Sequence, residues 1–185
     1  MSDVRERAEL NIARAGELLM LCSWLQGQMN DLLIFRERPD LLPDFVAKSG
    51  CVPNEVSTLR SVRWEMMFSR VVTDFRTSFD SYLTSQEAAD LEALGFFRNA
   101  LAHAHVSMGR DYLLYRPSGS ASKINRMLEV LKLAPVEGQA APLTIKLTLW
   151  KDEQYAVNFT TIKRLDERCF SKIARELGVP HSRIR

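Results

Sequence analysis

The apolar positions fall first into a long helical rhythm. Leu10, Leu18, Leu21, Leu25, Met29 and Leu32 recur at three- and four-residue intervals between about Arg5 and Phe35, with Arg and Glu between them, as in an amphipathic helix. Gly27 is the position in this run where a kink is expected. Pro39, Pro43, the Ser49-Gly50 pair and Pro53 then mark an irregular connection, and Asn54 stands where a helix cap is expected. A second stripe, Trp64, Phe68, Val71, Phe75, Phe79 and Tyr82, predicts one helix from about Glu55 to Leu83 with this stripe in the core.

Thr84-Ser85-Gln86-Glu87 has the spacing of a capping box, so a third helix is expected from near Ser85 to about His105. Its later part is apolar on nearly every side, the mark of a helix buried among others. After Gly109 the texture changes. Tyr112 to Tyr115 suggests a short strand, Ser118 to Ser122 a loop, and Ile124, Met127, Leu128 and Leu131 a short helix. Beyond a loop from Pro135 to Pro142, residues alternate over Leu143 to Leu149 and again over Tyr155 to Phe159, which predicts a hairpin turning at Lys151 to Gln154. A last helix is expected from Thr161, with Ile162, Leu165, Cys169, Ile173 and Leu177 on one face, stopping at Gly178 before Pro180.

Composition narrows the picture without deciding function. The 185 residues, 46% hydrophobic and 26% charged, suit one ordinary globular domain. The formal net charge of +2 is too small to forecast nucleic-acid binding, and a bias to Arg serves ion pairs as readily as phosphates. Arg60, Arg63 and Arg70 form a narrow basic strip on the second helix, a weak candidate for RNA contact set against a solvated face partly neutralised by Glu65 and Asp74. Cys22, Cys51 and Cys169 have no Cys-x-x-Cys spacing, which argues against a disulfide framework or structural zinc and fits a reducing cytoplasm. The mixed-charge start, Ser2 to Arg7, is not a secretory signal pattern. The longest apolar stretch falls short of the ~20 residues a bilayer span needs, so no membrane partner is expected.

The informative contradiction lies in the third helix. Leu91, Leu94, Gly95, Leu101 and Ala102 define an apolar stripe in which Arg98 takes a core position. Burying a guanidinium requires partners, a cleft or an interface. Asn99 and His103 are four apart and share a helix face, while His105 returns to the Arg98 face. Such departures from pattern are where function is expected. Cleaving an RNA phosphodiester needs a base for the 2′-hydroxyl proton, an acid for the departing 5′-oxygen and fixed positive charge for the phosphorane. Histidine suits both proton transfers and arginine the charge. On a straight helix Arg98 and His103 diverge by about 140°, so a second copy across a two-fold axis would complete the cleft.

The segment Arg98-Asn99-Ala100-Leu101-Ala102-His103 resembles the signature of the HEPN superfamily, differing from its longer form at Ala104, where many relatives carry Gly. The resemblance implies a compact helical bundle, dimerisation that brings two motifs together, and metal-independent RNase activity in many members, frequently in toxin–antitoxin or defence systems. It assigns catalytic roles to Arg98, Asn99 and His103 only; His105, outside the resemblance, is read as a satisfied helix-end histidine or a secondary site residue, the former slightly preferred. With the periodicity, it leads to a mainly α, HEPN-like bundle of four to five helices carrying a small C-terminal β-hairpin or three-stranded addition. The expected domain spans residues 1–185: a helical core over 1–108, a β-containing insertion over 109–160 and a C-terminal helix over 161–180. The expected partners are a second copy, an RNA substrate and an antitoxin or regulatory protein. No metal or other cofactor is expected.

The alternative is a non-catalytic HEPN module that uses the same residues to bind a partner protein, nucleotide or RNA. The blander readings stand beside these. His103-Ala104-His105 lacks the third ligand of a metal site, and Ser107 and Tyr112 are near enough in sequence to reach the cleft. Trp24, Trp64 and Trp150 are expected in the core, and His181 to Arg185 is read as a frayed tail in preference to an RNA contact.

Overall fold

The first apolar rhythm becomes a single helix, α1 (Ser2–Glu37), which runs on through Gly27. Leu18, Cys22, Leu25, Met29 and Leu32 are all buried along it. The computed structural model describes residues 2–47, 52–106, 109–134 and 143–181. Over these the chain is mainly helical, with one small three-stranded antiparallel sheet. No described helix is long and apolar enough to cross a membrane. Contacts divide the chain into two units, Met1–Cys22 with Glu92–Thr161, and Ser23–Leu91 with Ile162–Arg185.

In the second unit, a short 3₁₀ turn at Pro39–Leu41 and the helix α2 (Leu42–Ala47) occupy part of the stretch expected to be irregular; Ser49, Gly50 and Cys51 lie outside the described residues. The single helix expected over 55–83 is two helices, α3 (Asn54–Trp64) and α4 (Phe68–Ser78). The Met66 amide closes a tight turn on the Arg63 carbonyl (3.1 Å), and Met67 is extended at φ −58°, ψ 138°. That reorientation takes Trp64 off the core stripe and leaves it 63% exposed, while Phe68, Val71, Phe75 and Phe79 stay buried. Pro53, not Asn54, holds the cap position of α3, and Asn54 is its first residue.

The capping box forms as its sequence predicts: the Thr84 amide donates to Glu87 Oε2 (2.8 Å) and the Glu87 amide to Thr84 Oγ1 (3.2 Å). It starts α5 (Ser85–Ala102). Further along the chain, Leu165–Phe170 forms a π-helical segment leading into α8 (Ser171–Leu177), so the expected last helix is interrupted. Gly178 ends α8 at φ +72°, with the Val179 amide reaching the Ala174 carbonyl (2.8 Å). Two ion pairs fasten α5 in this unit: buried Asp90 accepts two bonds from Arg164 (2.7 and 2.9 Å), and Glu87 accepts from Lys172 (3.1 Å). His181 is no frayed tail residue. Its Nδ1 lies 3.2 Å from Gln28 Oε1 and its Nε2 3.3 Å from buried Asp166. Residues 182–185 lie outside the described residues.

In the first unit, strands β1 (His105–Val106), β2 (Leu113–Tyr115) and β3 (Ile145–Leu147) pair in that order. Leu113 faces Leu147 and Tyr115 faces Ile145, and these four side chains are buried. Leu114 faces Lys146 and His105, which lie on the solvent side. Helix α6 (Ala121–Leu131) is capped by Ser120, which accepts from the Lys123 amide, and is tied to α5 by a two-bond pair between Arg126 and Glu92 (2.9 Å each). The loop expected over Pro135 to Pro142 lies outside the described residues.

The expected hairpin over 143–159 does not form, because its second arm is the start of a helix, α7 (Asp152–Arg164). Asp152 and Glu153 favour the positive end of the helix dipole. Gln154 Oε1 accepts from the Thr148 amide (3.0 Å) and hydroxyl (2.9 Å), which fixes the entry to the helix. Tyr155 and Phe159 then stack one turn apart, and Val157, which a strand pattern assigns to the same face, is 66% exposed. The tryptophans also differ from expectation. Trp24 is 44% exposed and Trp150 is half-buried beneath Arg7, so none of the three is a core residue.

Candidate functional site

The register of α5 decides what emerges at its far end. Leu91, Leu94, Phe97, Ala100 and Leu101 are buried, and this leaves Arg98 and Asn99 half-buried on the flanks of the helix. Arg98 therefore sits at the edge of the core stripe, not in its centre. In the same unit its charge is felt by Cys22 of α1. Burial pushes the Cys22 thiol up to about 12, and the Arg98 charge pulls the other way. The misplaced arginine of the sequence pattern is thus a half-buried cation whose charge reaches a neutral thiol.

Asn99 does not orient the ring of His103. Its amide nitrogen lies 3.2 Å from the phenol oxygen of buried Tyr115 on β2. Tyr115 was not among the sequence candidates, although its core-facing place beside Leu113 was available from strand alternation.

The helix ends at Ala102, and the His103 amide still bonds to the Asn99 carbonyl (3.2 Å) while Ala104 bonds back to Leu101 (3.3 Å). The His103 side chain is exposed on this closing turn. The turn needs no glycine: among the described non-glycine residues only Lys132 has positive φ, so Ala104 passes through without left-handed backbone. His105 is not on the helix at all. It opens β1, exposed, two residues beyond His103. Of the nearby candidates, Tyr112 is half-buried beside the sheet and Ser107 lies outside the described residues.

The weak RNA candidates of the second unit carry compensated charge. Arg60 makes two bonds to Asp31 (2.7 Å each) and lies over the ring of Phe45, Arg63 pairs with Glu37, and Arg70 pairs with Asp74 (2.9 Å). Each of the three thus has an acidic partner within the chain. Among the described residues, no three His, Cys, Asp or Glu side chains are grouped to hold a metal ion.

What the first unit assembles, then, is an exposed imidazole at a helix end, a half-buried guanidinium one turn earlier, an amide tied to a buried phenol, and a second imidazole on the adjoining strand. Comparison with protein-family models, with curated proteins and with solved structures finds no match to this chain.

Proposed function

We propose that this chain is a metal-independent endoribonuclease that works as a homodimer of HEPN type. The observation that carries the reading is the Arg98-Asn99-x-x-x-His103 segment at the exposed end of an otherwise buried helix. In the proposed reaction one His103 imidazole takes the 2′-hydroxyl proton as O2′ attacks phosphorus. The bond from phosphorus to O5′ breaks, and the protonated His103 of the second copy delivers its proton to O5′. Arg98 stabilises the added phosphorane charge. The products are a 2′,3′-cyclic phosphate and a 5′-hydroxyl. Asn99 acts as a positioning residue through Tyr115. The setting we favour is a toxin–antitoxin or defence system in which a partner protein restrains the activity.

A second reading has its own support. Since Asn99 is turned to Tyr115, the His103 ring has no neighbouring amide to fix it, which suits a non-catalytic module that binds RNA, nucleotide or protein through Arg98. Incubation of purified protein with single-stranded RNA in excess EDTA separates the two: cleavage abolished by His103→Ala supports the enzyme, and tight binding without turnover, retained by His103→Ala and lost with Arg98→Ala, supports the module.

A further inference from the structure

The solvent face of the three-stranded sheet carries an arrangement that the cleavage chemistry does not use. Lys146 of β3 lies in the same cross-strand row as Leu114 and His105, and its Nζ sits 4.7 Å from the centre of the Tyr112 ring. Arg110 approaches the same ring at 5.7 Å and also bonds to its hydroxyl. Arg116, exposed just after β2, falls on the same side by strand alternation. Among the described residues no carboxylate pairs with Arg110, Arg116 or Lys146, and the nearest acid in sequence, Asp111, is held by Arg7 (3.2 Å).

This differs in kind from the paired arginines elsewhere in the chain. A carboxylate partner fixes a cation and cancels its charge; an aromatic ring fixes it by its quadrupole and leaves the full charge in place. Tyr112 gathers Lys146 and Arg110 as cations that no carboxylate among the described residues compensates. Two strand spacings of ~4.8 Å separate the Lys146 position from His105, so this charge lies within about 10 Å of an imidazole two residues from His103. Fixed cations at this separation beside a cleavage residue suit a flexible polyanion.

We infer that the sheet face is the docking surface for single-stranded RNA, with Arg110, Arg116 and Lys146 receiving successive phosphates and Tyr112 setting the cations in place. The inference rests on the ribonuclease reading for the nature of its ligand. An acidic protein surface is the competing occupant. Lys146 stands in one row with the exposed imidazole of His105, with Arg110 and Arg116 at either end of the middle strand, which suits a polyanion strand that must reach His103.

The test uses His103→Ala protein, so that RNA stays intact, and fluorescence anisotropy of labelled oligouridylate over a series of salt concentrations. Adding Arg110→Gln, Arg116→Gln and Lys146→Gln together should weaken binding and lower the salt slope by about 2, since each phosphate contact on a single strand contributes ~0.7. Adding Arg5→Gln and Arg38→Gln instead should leave both quantities unchanged. Tyr112→Leu, which keeps all three charges, should weaken binding and retain most of the slope. Unchanged affinity in the triple variant, absence of oligouridylate binding, or equal displacement by polyglutamate of matched charge would overturn the inference. The ribonuclease reading is scored separately by cleavage in the otherwise unaltered chain: its loss in His103→Ala, alongside unchanged binding in the triple variant, leaves that reading standing and removes only this one.

Discussion

The amide of Asn99 and the phenol of Tyr115 meet at 3.2 Å, a contact that joins the last full turn of a helix to the middle strand of a small sheet. It places the polar segment of α5 against a side chain whose ring is buried with Ile145 and Leu113. The site and the sheet are therefore mechanically connected, and the sheet is more than an appendage to the helices.

Tyr115→Phe removes this contact with little change in volume. We expect a fall in cleavage rate of about fivefold, with a thermal midpoint lowered by about 2–4 °C, as for loss of a hydrogen bond of about 1 kcal/mol. Single-turnover cleavage beside a melting curve checks both quantities. A rate equal to wild type would show that Asn99 needs no anchor.

Glu87 offers a prediction in pH. Burial raises its carboxyl, but the Thr84 amide, Lys172 and the Thr84 hydroxyl together outweigh that and hold it below the usual carboxylate range. A folded value lowered in this way stabilises the protein fully above the ordinary Glu value of ~4.3, and the contribution is lost as pH falls through the lower folded value. Glu87→Gln should therefore cost about 1 kcal/mol in urea unfolding at neutral pH, with the difference closing as the pH falls below the ordinary carboxylate range.

The cysteines supply a third. Burial pushes both the Cys22 and Cys169 thiols up to about 12, so neither supplies thiolate near neutrality. Peptide mapping after brief treatment with iodoacetamide at about pH 8 should find both unmodified in native protein and both labelled in denaturant. Rapid native labelling of Cys22 would mean that the Arg98 side of α1 is open.

What the sequence made legible is local, and what it hid is tertiary. The Thr84 and Glu87 box was readable because both partners lie within one turn, and Gly178 because a left-handed helix stop favours that residue. The break after Trp64 was hidden because Glu65-Met66-Met67 has neither Gly nor Pro and the aromatic stripe continues across it. Tyr155, Val157 and Phe159 mimic strand alternation. Only the reach of Gln154 to Thr148, a contact between two segments, reveals the helix start.

The candidate site divides the same way. Arg98, Asn99 and His103 were visible as polar misfits in an apolar helix. The Tyr115 and Cys22 neighbourhoods were not, since each comes from a distant part of the chain. Arg60 and Arg63 read as part of a basic strip because sequence spacing shows the cations of a helix face but neither Asp31 and Glu37 of α1 opposite them nor the break that puts Arg70 on α4.

The most direct measurement is end-group analysis of single-stranded RNA after incubation with purified protein in excess EDTA, run in parallel for wild type, Arg98→Ala and His103→Ala. The account predicts fragments with 2′,3′-cyclic phosphate and 5′-hydroxyl ends from wild type, and a loss of at least about a hundredfold in rate for each variant, the lower range for removing a proton-transfer or charge-stabilising group. Intact RNA with wild type, or the same fragments at the same rate from both variants, would contradict it.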